Sequence, residues 1–199
     1  PVDVRGGYQI FSWGLADLYN PTDKFGVKDY QDILDSEKEG ILALKTAYYL
    51  KNWTFEGVWV PLPDESELAR IGTRWFIVPP SLVVNPLGLG PPVVQTPAIF
   101  DTALEPDRNI KNSQFGARIK TSWRGLDLQA NYFYGYENLP EFEIMPGTLN
   151  IALPNVILPL IITPVWVKEH MVGASAAYSR WGFNFKAEGG LFIPEESNR

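Results

Sequence analysis

Cysteine is absent from this chain of 199 residues, and histidine occurs once, as His170. The first absence excludes disulfide bonds and thiolate chemistry. Because Ser175 lies five residues after His170, the two side chains would face opposite sides of a strand, which argues against a Ser–His hydrolase. The sequence also has no glycine-rich loop followed by Lys and Ser or Thr, and no metal-ligand spacing of His and Cys. It therefore predicts no enzyme activity, no cofactor and no metal centre.

Long apolar runs and basic clusters are lacking as well. No apolar stretch free of charge and proline reaches the roughly 20 residues that a membrane-spanning helix needs. The formal net charge of −6 and the pI near 4.9 disfavour a nucleic-acid partner. Since 45% of the residues are hydrophobic and 14% are aromatic, apolar surface is nevertheless plentiful. If the chain crosses a membrane, it does so as strands.

Alternation of apolar and polar residues is abundant, most clearly over residues 114–136. A turn at Arg124-Gly125 divides this stretch into two strands, because glycine adopts the positive φ that two-residue hairpin turns require. The register then pairs Trp123 with Leu126 on an apolar face, and the opposite face carries charges and amides. This pattern is typical of transmembrane barrels, and also of soluble sheets with one buried face.

Two further stretches, residues 41–59 and 171–192, repeat the hairpin pattern. We predict their turns at Lys51-Asn52 and Ser179-Arg180, again flanked by alternating strands. The predicted pairs are Leu50 with Trp53, Tyr48 with Phe55 and Leu44 with Trp59 in the first, and Tyr178 with Trp181, Ala176 with Phe183 and Ala174 with Phe185 in the second.

Each hairpin has an aromatic residue in the pair beside its turn and one cation within the turn. In a barrel, these residues would form an interfacial aromatic girdle with cations at the level of the lipid phosphates. A soluble sheet has no reason to repeat that placement. The predicted interfacial aromatic residues are Trp53, Trp123, Tyr178 and Trp181, and the turn cations are Lys51, Arg124 and Arg180.

Short turns alternate with long connections, which span residues 15–40, 61–111 and 137–164. This asymmetry is typical of barrels with short periplasmic turns and long extracellular loops. A first strand over residues 2–13 brings the count to about seven, whereas single-chain bacterial barrels have even numbers. We predict an all-β, antiparallel transmembrane β-barrel in the outer membrane, built as a meander of hairpins over residues 1–199 and forming an incomplete segment of a larger barrel.

The polar face of these strands is predicted to line the lumen of the barrel. Its charged groups either filter solutes in a water-filled pore or neutralise each other in a plugged interior. They form no ring of a single sign, so no ion selectivity is predicted. The predicted lining residues are Arg5, Gln9, Lys45, Glu56, Arg118, Lys120, Asp127, Gln129, Asn131, Asn184, Lys186 and Glu188.

Two apolar, proline-rich stretches lie in the long connections, at residues 77–86 and 149–167. Proline removes amide donors, so the first is not expected to be a barrel strand and the second is a poor spanning helix. Exposed apolar patches of this kind usually mark interaction surfaces. Either both loops pack together over the barrel mouth, or they dock a partner protein, or they admit an apolar small molecule.

Residues 7–14 read Gly-Tyr-Gln-Ile-Phe-Ser-Trp-Gly, and residues 20–23 read Asn-Pro-Thr-Asp. This stretch resembles the G-x-Q-x-x-x-W-G, then N-P-x-D, pattern of a family of uncharacterised proteobacterial outer-membrane β-barrel proteins. The resemblance is confined to the N-terminal part of the chain, with a general likeness of strand and loop layout afterwards. It implies a porin-like protein, or one linked to the export of hydrophobic compounds.

These observations predict a channel or transporter that passes a small solute, hydrophobic solutes included, through a loop-constricted lumen. The alternative is a structural or assembly component of an envelope complex that docks a partner protein through its proline-rich loops. The predicted surroundings are the lipid bilayer and its lipopolysaccharide.

Overall fold

The computed structural model describes residues 1–17, 20–31, 37–64, 66, 98–101, 104–147, 150–152, 155–157 and 159–195. These residues are all-β apart from one short 3₁₀ helix, Ile110–Asn112. No helix among them is long and apolar enough to cross a membrane. The strands are β1 (Val2–Gln9), β2 (Ile41–Leu50), β3 (Trp53–Val60), β4 (Ala98–Phe100), β5 (Gln114–Trp123), β6 (Leu126–Tyr136), β7 (Glu141–Pro146), β8 (Asn150–Ala152), β9 (Asn155–Ile157), β10 (Leu160–Val165), β11 (Lys168–Arg180) and β12 (Phe183–Pro194).

The strands belong to two compact units, and the first contains a seven-stranded sheet with the order β1-β2-β3-β5-β6-β11-β12. Every pair of neighbours is antiparallel, which confirms the predicted all-β meander of about seven strands. Among the described strands, β1 pairs only with β2 and β12 pairs only with β11. The sheet therefore has two edges and is not closed into a barrel.

The register of the first two hairpins is as predicted. Leu50 pairs with Trp53 across one turn, and Trp123 pairs with Leu126 across the next. Lys51 and Arg124 adopt positive φ values of 52° and 50° in these turns. Left-handed residues give such turns the twist of the strands they join.

The predicted register of the third hairpin is wrong. Its turn consists of Trp181 and Gly182, whose φ values are 52° and 81°, so Tyr178 pairs with Phe185 rather than with Trp181. Glycine at the second turn position tolerates the left-handed conformation, and this favours the later turn. Because the turn moves by two residues, each strand residue keeps the face that was predicted for it.

Two other expectations need correction. The first strand ends at Gln9 rather than near Trp13, and the chain then leaves the sheet. The connection over residues 137–164 is not a plain loop, since Glu141 and Glu143 lie in β7. In the second unit, β10 pairs with β4 and β7, and β8 pairs with β9, so the stretch 149–167 also contains strands. Residues 77–86 lie outside the described part of the chain.

The two faces of the seven-stranded sheet differ in what covers them. On one face, which we call the inner face, residues 10–17 and 20–27 pack against the strands of the sheet. The buried apolar cluster of this face joins side chains from the segment and from the strands. Its members are Phe11, Trp13, Phe25, Val27, Ile41, Ala43, Val58, Val60, Phe133 and Met171.

Glycines on the inner face permit this close packing. A Cβ atom at Gly116 would collide with the rings of Phe25 and Trp13, and one at Gly173 would collide with Thr22. A side chain at either glycine would therefore displace the segment. We call residues 10–27 the inner segment, the end of the sheet with the two-residue turns the turn end, and the opposite end the loop end.

Candidate functional site

A cluster of charges on the inner face lies at the centre of the candidate site. The Glu56 carboxylate accepts a hydrogen bond from Arg118 Nε at 3.0 Å, and Lys120 Nζ lies 2.9 Å from its other oxygen. Lys45 Nζ lies 3.6 Å from the same carboxylate. Glu56 and Arg118 are only 6% and 8% exposed. A buried carboxylate is tolerated when it is paired and hydrogen-bonded in this way.

The same cluster holds the inner segment at Trp13. Arg118 Nη1 donates to the carbonyl oxygen of Ser12 at 3.3 Å, and the Arg118 guanidinium lies 4.9 Å from the Trp13 ring centroid. Gln129 donates from its side-chain amide to the carbonyl oxygen of Trp13. Trp13 is 1% exposed, so the indole fills the space beside the charges. These polar wall groups satisfy backbone carbonyls that would otherwise be buried without donors.

Glu188 lies on the edge strand β12 and binds the inner segment on the same inner face. Its Oε2 accepts hydrogen bonds from the backbone amides of Leu15 and Ala16 at 2.7 and 3.1 Å. Its Oε1 accepts from the amide and the hydroxyl of Thr22 at 3.1 and 2.8 Å. Asn131 Nδ2 in turn donates to the Thr22 carbonyl at 3.0 Å. One carboxylate thus binds the inner segment at residues 15–16 and again at residue 22. Hydrogen bonds to an ionised acceptor are stronger than those between neutral groups.

Two lysines of the chain complete the attachment towards the loop end. Lys24 Nζ lies 2.6 Å from Glu169 and 4.6 Å from the ring centroid of Phe192. Lys38 contacts the Asp23 carboxylate, and Asp23 also accepts the backbone amide of Trp13 at 3.1 Å.

Two clefts lie on either side of the inner segment. The first, of about 330 Å³, is at the turn end and includes Leu15, Lys120 and Gln129 in its lining. The second, of about 310 Å³, is at the loop end and includes Asp23 and Lys24. The segment therefore separates two polar clefts.

The other face of the sheet, the outer face, exposes large apolar side chains. Trp53 is 46% exposed, Leu128 44% and Phe183 66%. At the turn end, Arg124 lies 4.9 Å from the Trp123 ring centroid and Arg180 lies 4.2 Å from that of Trp181.

A second group of aromatic and basic residues lies on the outer face at the loop end. Lys168 Nζ lies 5.3 and 5.1 Å from the ring centroids of Tyr134 and Tyr136. The Tyr132 hydroxyl is 2.8 Å from His170 Nδ1. The apolar side chains of the outer face thus lie between aromatic and basic groups at both ends of the strands.

The predicted lining residues divide into two groups. Eight of them contact one another or the inner segment: Lys45, Glu56, Arg118, Lys120, Gln129, Asn131, Lys186 and Glu188. Lys186 contacts Asp17, just before the undescribed residues 18 and 19. The others bond locally: Arg5 to Asp3, Gln9 to the Ala43 carbonyl, Asp127 to Ser122, and Asn184 to Ser179.

Of the predicted interfacial aromatic residues, two flank their turns, one lies three residues before its turn and one lies within a turn. Trp53, Trp123 and Tyr178 are in strands, whereas Trp181 is a turn residue and is 79% exposed.

The inner segment itself was not predicted. Thr22, Asp23 and Phe25 were considered only as part of a loop, and Trp13 was assigned to the first strand. Two signals could have indicated the segment. Phe25 is a large apolar residue in a connection expected to be solvated, and the W-G and N-P-x-D motifs fall within residues 10–27.

No family model, no curated protein and no solved structure matches this chain. The resemblance to the outer-membrane family therefore stays a prediction. Among the described residues, no group of three or more acidic or histidine side chains is placed to hold a metal ion.

Proposed function

We propose that the seven-stranded sheet is part of an outer-membrane β-barrel and that the inner segment constricts its lumen. In this proposal the chain passes a small solute, hydrophobic solutes included, between the clefts at the turn end and the loop end. The observation that carries the proposal is the inverted character of the sheet. The Glu56–Arg118 ion pair is buried on the covered face, and large apolar side chains are exposed on the other face.

The dimensions of the outer face suit a bilayer. β6 has 11 residues. At roughly 3.3 Å per residue and a tilt of about 40°, a strand of this length crosses about 25 Å, the height of the apolar band of an outer-membrane barrel. Aromatic and basic side chains lie at both ends of this band, where headgroups would meet them. Lipid chains would cover apolar surface that is costly to expose to water.

The inner segment supplies a mechanism for gating. Its backbone is held by side chains of the wall, chiefly Glu188, Gln129 and Arg118. A solute or water that replaces some of these hydrogen bonds would let the segment move without breaking a strand pair. The wall groups would then hydrate the solute as it passes, as polar pore linings do.

The membrane part of the proposal is tested by tryptophan fluorescence in vesicles with brominated acyl chains. The chain has seven Trp residues, and variants retaining only Trp53, Trp123 or Trp13 would be compared. Bromine should quench Trp53 and Trp123, which are exposed on the outer face, and leave Trp13 almost unchanged. Equal quenching of all three, or full solubility without detergent, would contradict the proposal.

The gating part is tested by conductance in planar bilayers. Glu188→Gln weakens four hydrogen bonds to the inner segment and should raise the frequency or size of channel openings. Glu195→Gln is the matched control, because Glu195 bonds Tyr134 on the outer face and not the segment. Channels that respond equally to both substitutions would argue against gating by the inner segment.

The assembly role is the second candidate, and the filled inner face favours it. A sheet whose interior is packed serves as a scaffold without conducting. Bilayers that stay silent with wild-type and Glu188→Gln proteins, although the strands are inserted, would support this role over transport.

A further inference from the structure

A cleft of about 780 Å³ lies between the β5–β6 and β11–β12 turns at the turn end of the sheet. The amide of Ser179 donates to the carbonyl oxygen of Gly125 at 3.1 Å, which fixes one turn against the other. The cleft takes no part in holding the inner segment. It is lined by Trp123, Arg124, Leu126, Tyr178, Ser179 and Arg180.

The two guanidinium groups of this cleft carry unmatched positive charge. Arg124 and Arg180 each lie over an indole ring, and Arg180 also donates to the Tyr178 hydroxyl at 3.0 Å. In the described part of the chain, no carboxylate lies within ion-pair distance of either group, whereas Arg5 and Arg118 each have a carboxylate partner. Both cleft arginines therefore keep N–H donors available for an anion.

The backbone of both turns beside the cleft has an unusual conformation. Arg124 and Trp181 have φ values of 50° and 52°, a conformation that is disfavoured for residues with large side chains. Asparagine or glycine would suit both turn positions better. At Arg124 this unfavourable conformation places a cation in the lining of the cleft.

We propose that this cleft binds the phosphodiester group of an anionic phospholipid, an inference that rests on the membrane location proposed above. Planar guanidinium groups form paired hydrogen bonds with phosphate oxygens. Indole and phenol rings favour the headgroup level of a bilayer. Leu126 in the cleft lies two residues before Leu128, which is 44% exposed on the outer face. The acyl chains would extend along that apolar surface, which is why a lipid suits the cleft better than free phosphate.

The test uses the full chain in vesicles of phosphatidylcholine and phosphatidylglycerol in equal amounts. The lipid retained after extraction is identified by native mass spectrometry. The wild-type protein should retain phosphatidylglycerol preferentially. Arg124→Gln with Arg180→Gln should lower that preference about tenfold, since two charge-assisted contacts are lost. Arg124→Lys with Arg180→Lys should lower it less, because the charges remain.

Lys51→Gln is the matched control. Lys51 occupies the same turn position with a φ of 52° but lies outside the cleft lining. This substitution should leave the retained lipid unchanged. A preference that survives the double Gln substitution, or falls equally with Lys51→Gln, would overturn the proposed site.

Two further measurements separate the sources of failure. Displacement of phosphatidylglycerol by inorganic phosphate would indicate an ordinary phosphate site and overturn the lipid assignment. Quenching by brominated lipid reports insertion independently. If the protein inserts without preferring phosphatidylglycerol, the cleft proposal fails alone, and if it does not insert, the proposed function fails with it.

Discussion

The two faces of the seven-stranded sheet are built from the same strands, yet they have opposite relations to their surroundings. Met171 is 0% exposed on the inner face, and the next residue, Val172, is 53% exposed on the outer face. The inner face is covered by the inner segment and buries charged as well as apolar groups. The outer face is apolar, and no segment of the same unit that the structure describes covers it.

This difference shows that the more apolar face of the sheet is not the one that is buried. In water, the apolar face of such a sheet would be the covered one, because removing apolar surface from water drives folding. Here the inner segment covers the face that carries Glu56 and Arg118, and its Ser12 carbonyl accepts a hydrogen bond from Arg118. Contact of the outer face with lipid would explain why this apolar face is not covered by protein. Three substitution pairs test that explanation.

The largest effect is expected from Glu56→Ala, which leaves the buried guanidinium of Arg118 without its carboxylate. Removal of one partner of a buried ion pair should lower the free energy of unfolding by about 3–5 kcal/mol. Urea unfolding measures this change. Asp3→Ala, which breaks the exposed pair with Arg5, is the control and should cost less than about 1 kcal/mol. Similar losses of unfolding free energy in both variants would mean that the ion pair of the inner face contributes no more to stability than an exposed one.

The second largest loss of stability is expected when a charge is placed on the outer face. Ile119→Lys places an ammonium group mid-strand, where a bilayer would raise the cost to about 2–4 kcal/mol. On a water-exposed sheet the same change should stay within about 0.5 kcal/mol. Trp123→Lys, beside the turn, should cost less than Ile119→Lys in lipid. Unfolding from vesicles decides between the two environments, and a negligible cost at residue 119 would contradict the comparison of the faces.

The smallest effect is expected from a pair of glycines on adjacent strands. Gly173→Ala on the inner face would crowd Thr22 and should cost about 1–3 kcal/mol, as overpacking does. Gly189 lies on the outer face with open space around it. Gly189→Ala should therefore change stability by less than about 0.5 kcal/mol. Thermal unfolding of the two variants measures the difference, and equal effects would mean that the inner segment does not press on the sheet.

Local pairing was predictable from the sequence, because a turn and its flanking residues define a hairpin register. Leu50 with Trp53 and Trp123 with Leu126 follow from that reasoning. The third turn was predicted two residues too early, at Ser179-Arg180, whereas Trp181 and Gly182 adopt the positive φ values of the turn. Each cross-strand partner is therefore displaced by four residues, as in the pairing of Tyr178 with Phe185. The error left the faces unchanged, since a shift by an even number of residues preserves the alternation.

The inner segment could not be predicted in the same way. Its contacts join residues far apart in sequence, such as Thr22 with Glu188 and Trp13 with Gln129. No periodicity marks such contacts, and proline and glycine within the segment suggest a solvated loop. The charged residues of the inner face were predicted from the alternation, but their partners on the inner segment were not.

The unpaired edges of the sheet have a geometric consequence. The sheet has seven antiparallel strands, with β1 and β12 at its edges. Because seven is odd, both edge strands run in the same direction, from the turn end towards the loop end. Two edges with the same direction cannot join directly without a parallel seam. An antiparallel ring that includes this sheet must add an odd number of strands between them, which gives it the even total found in single-chain bacterial barrels.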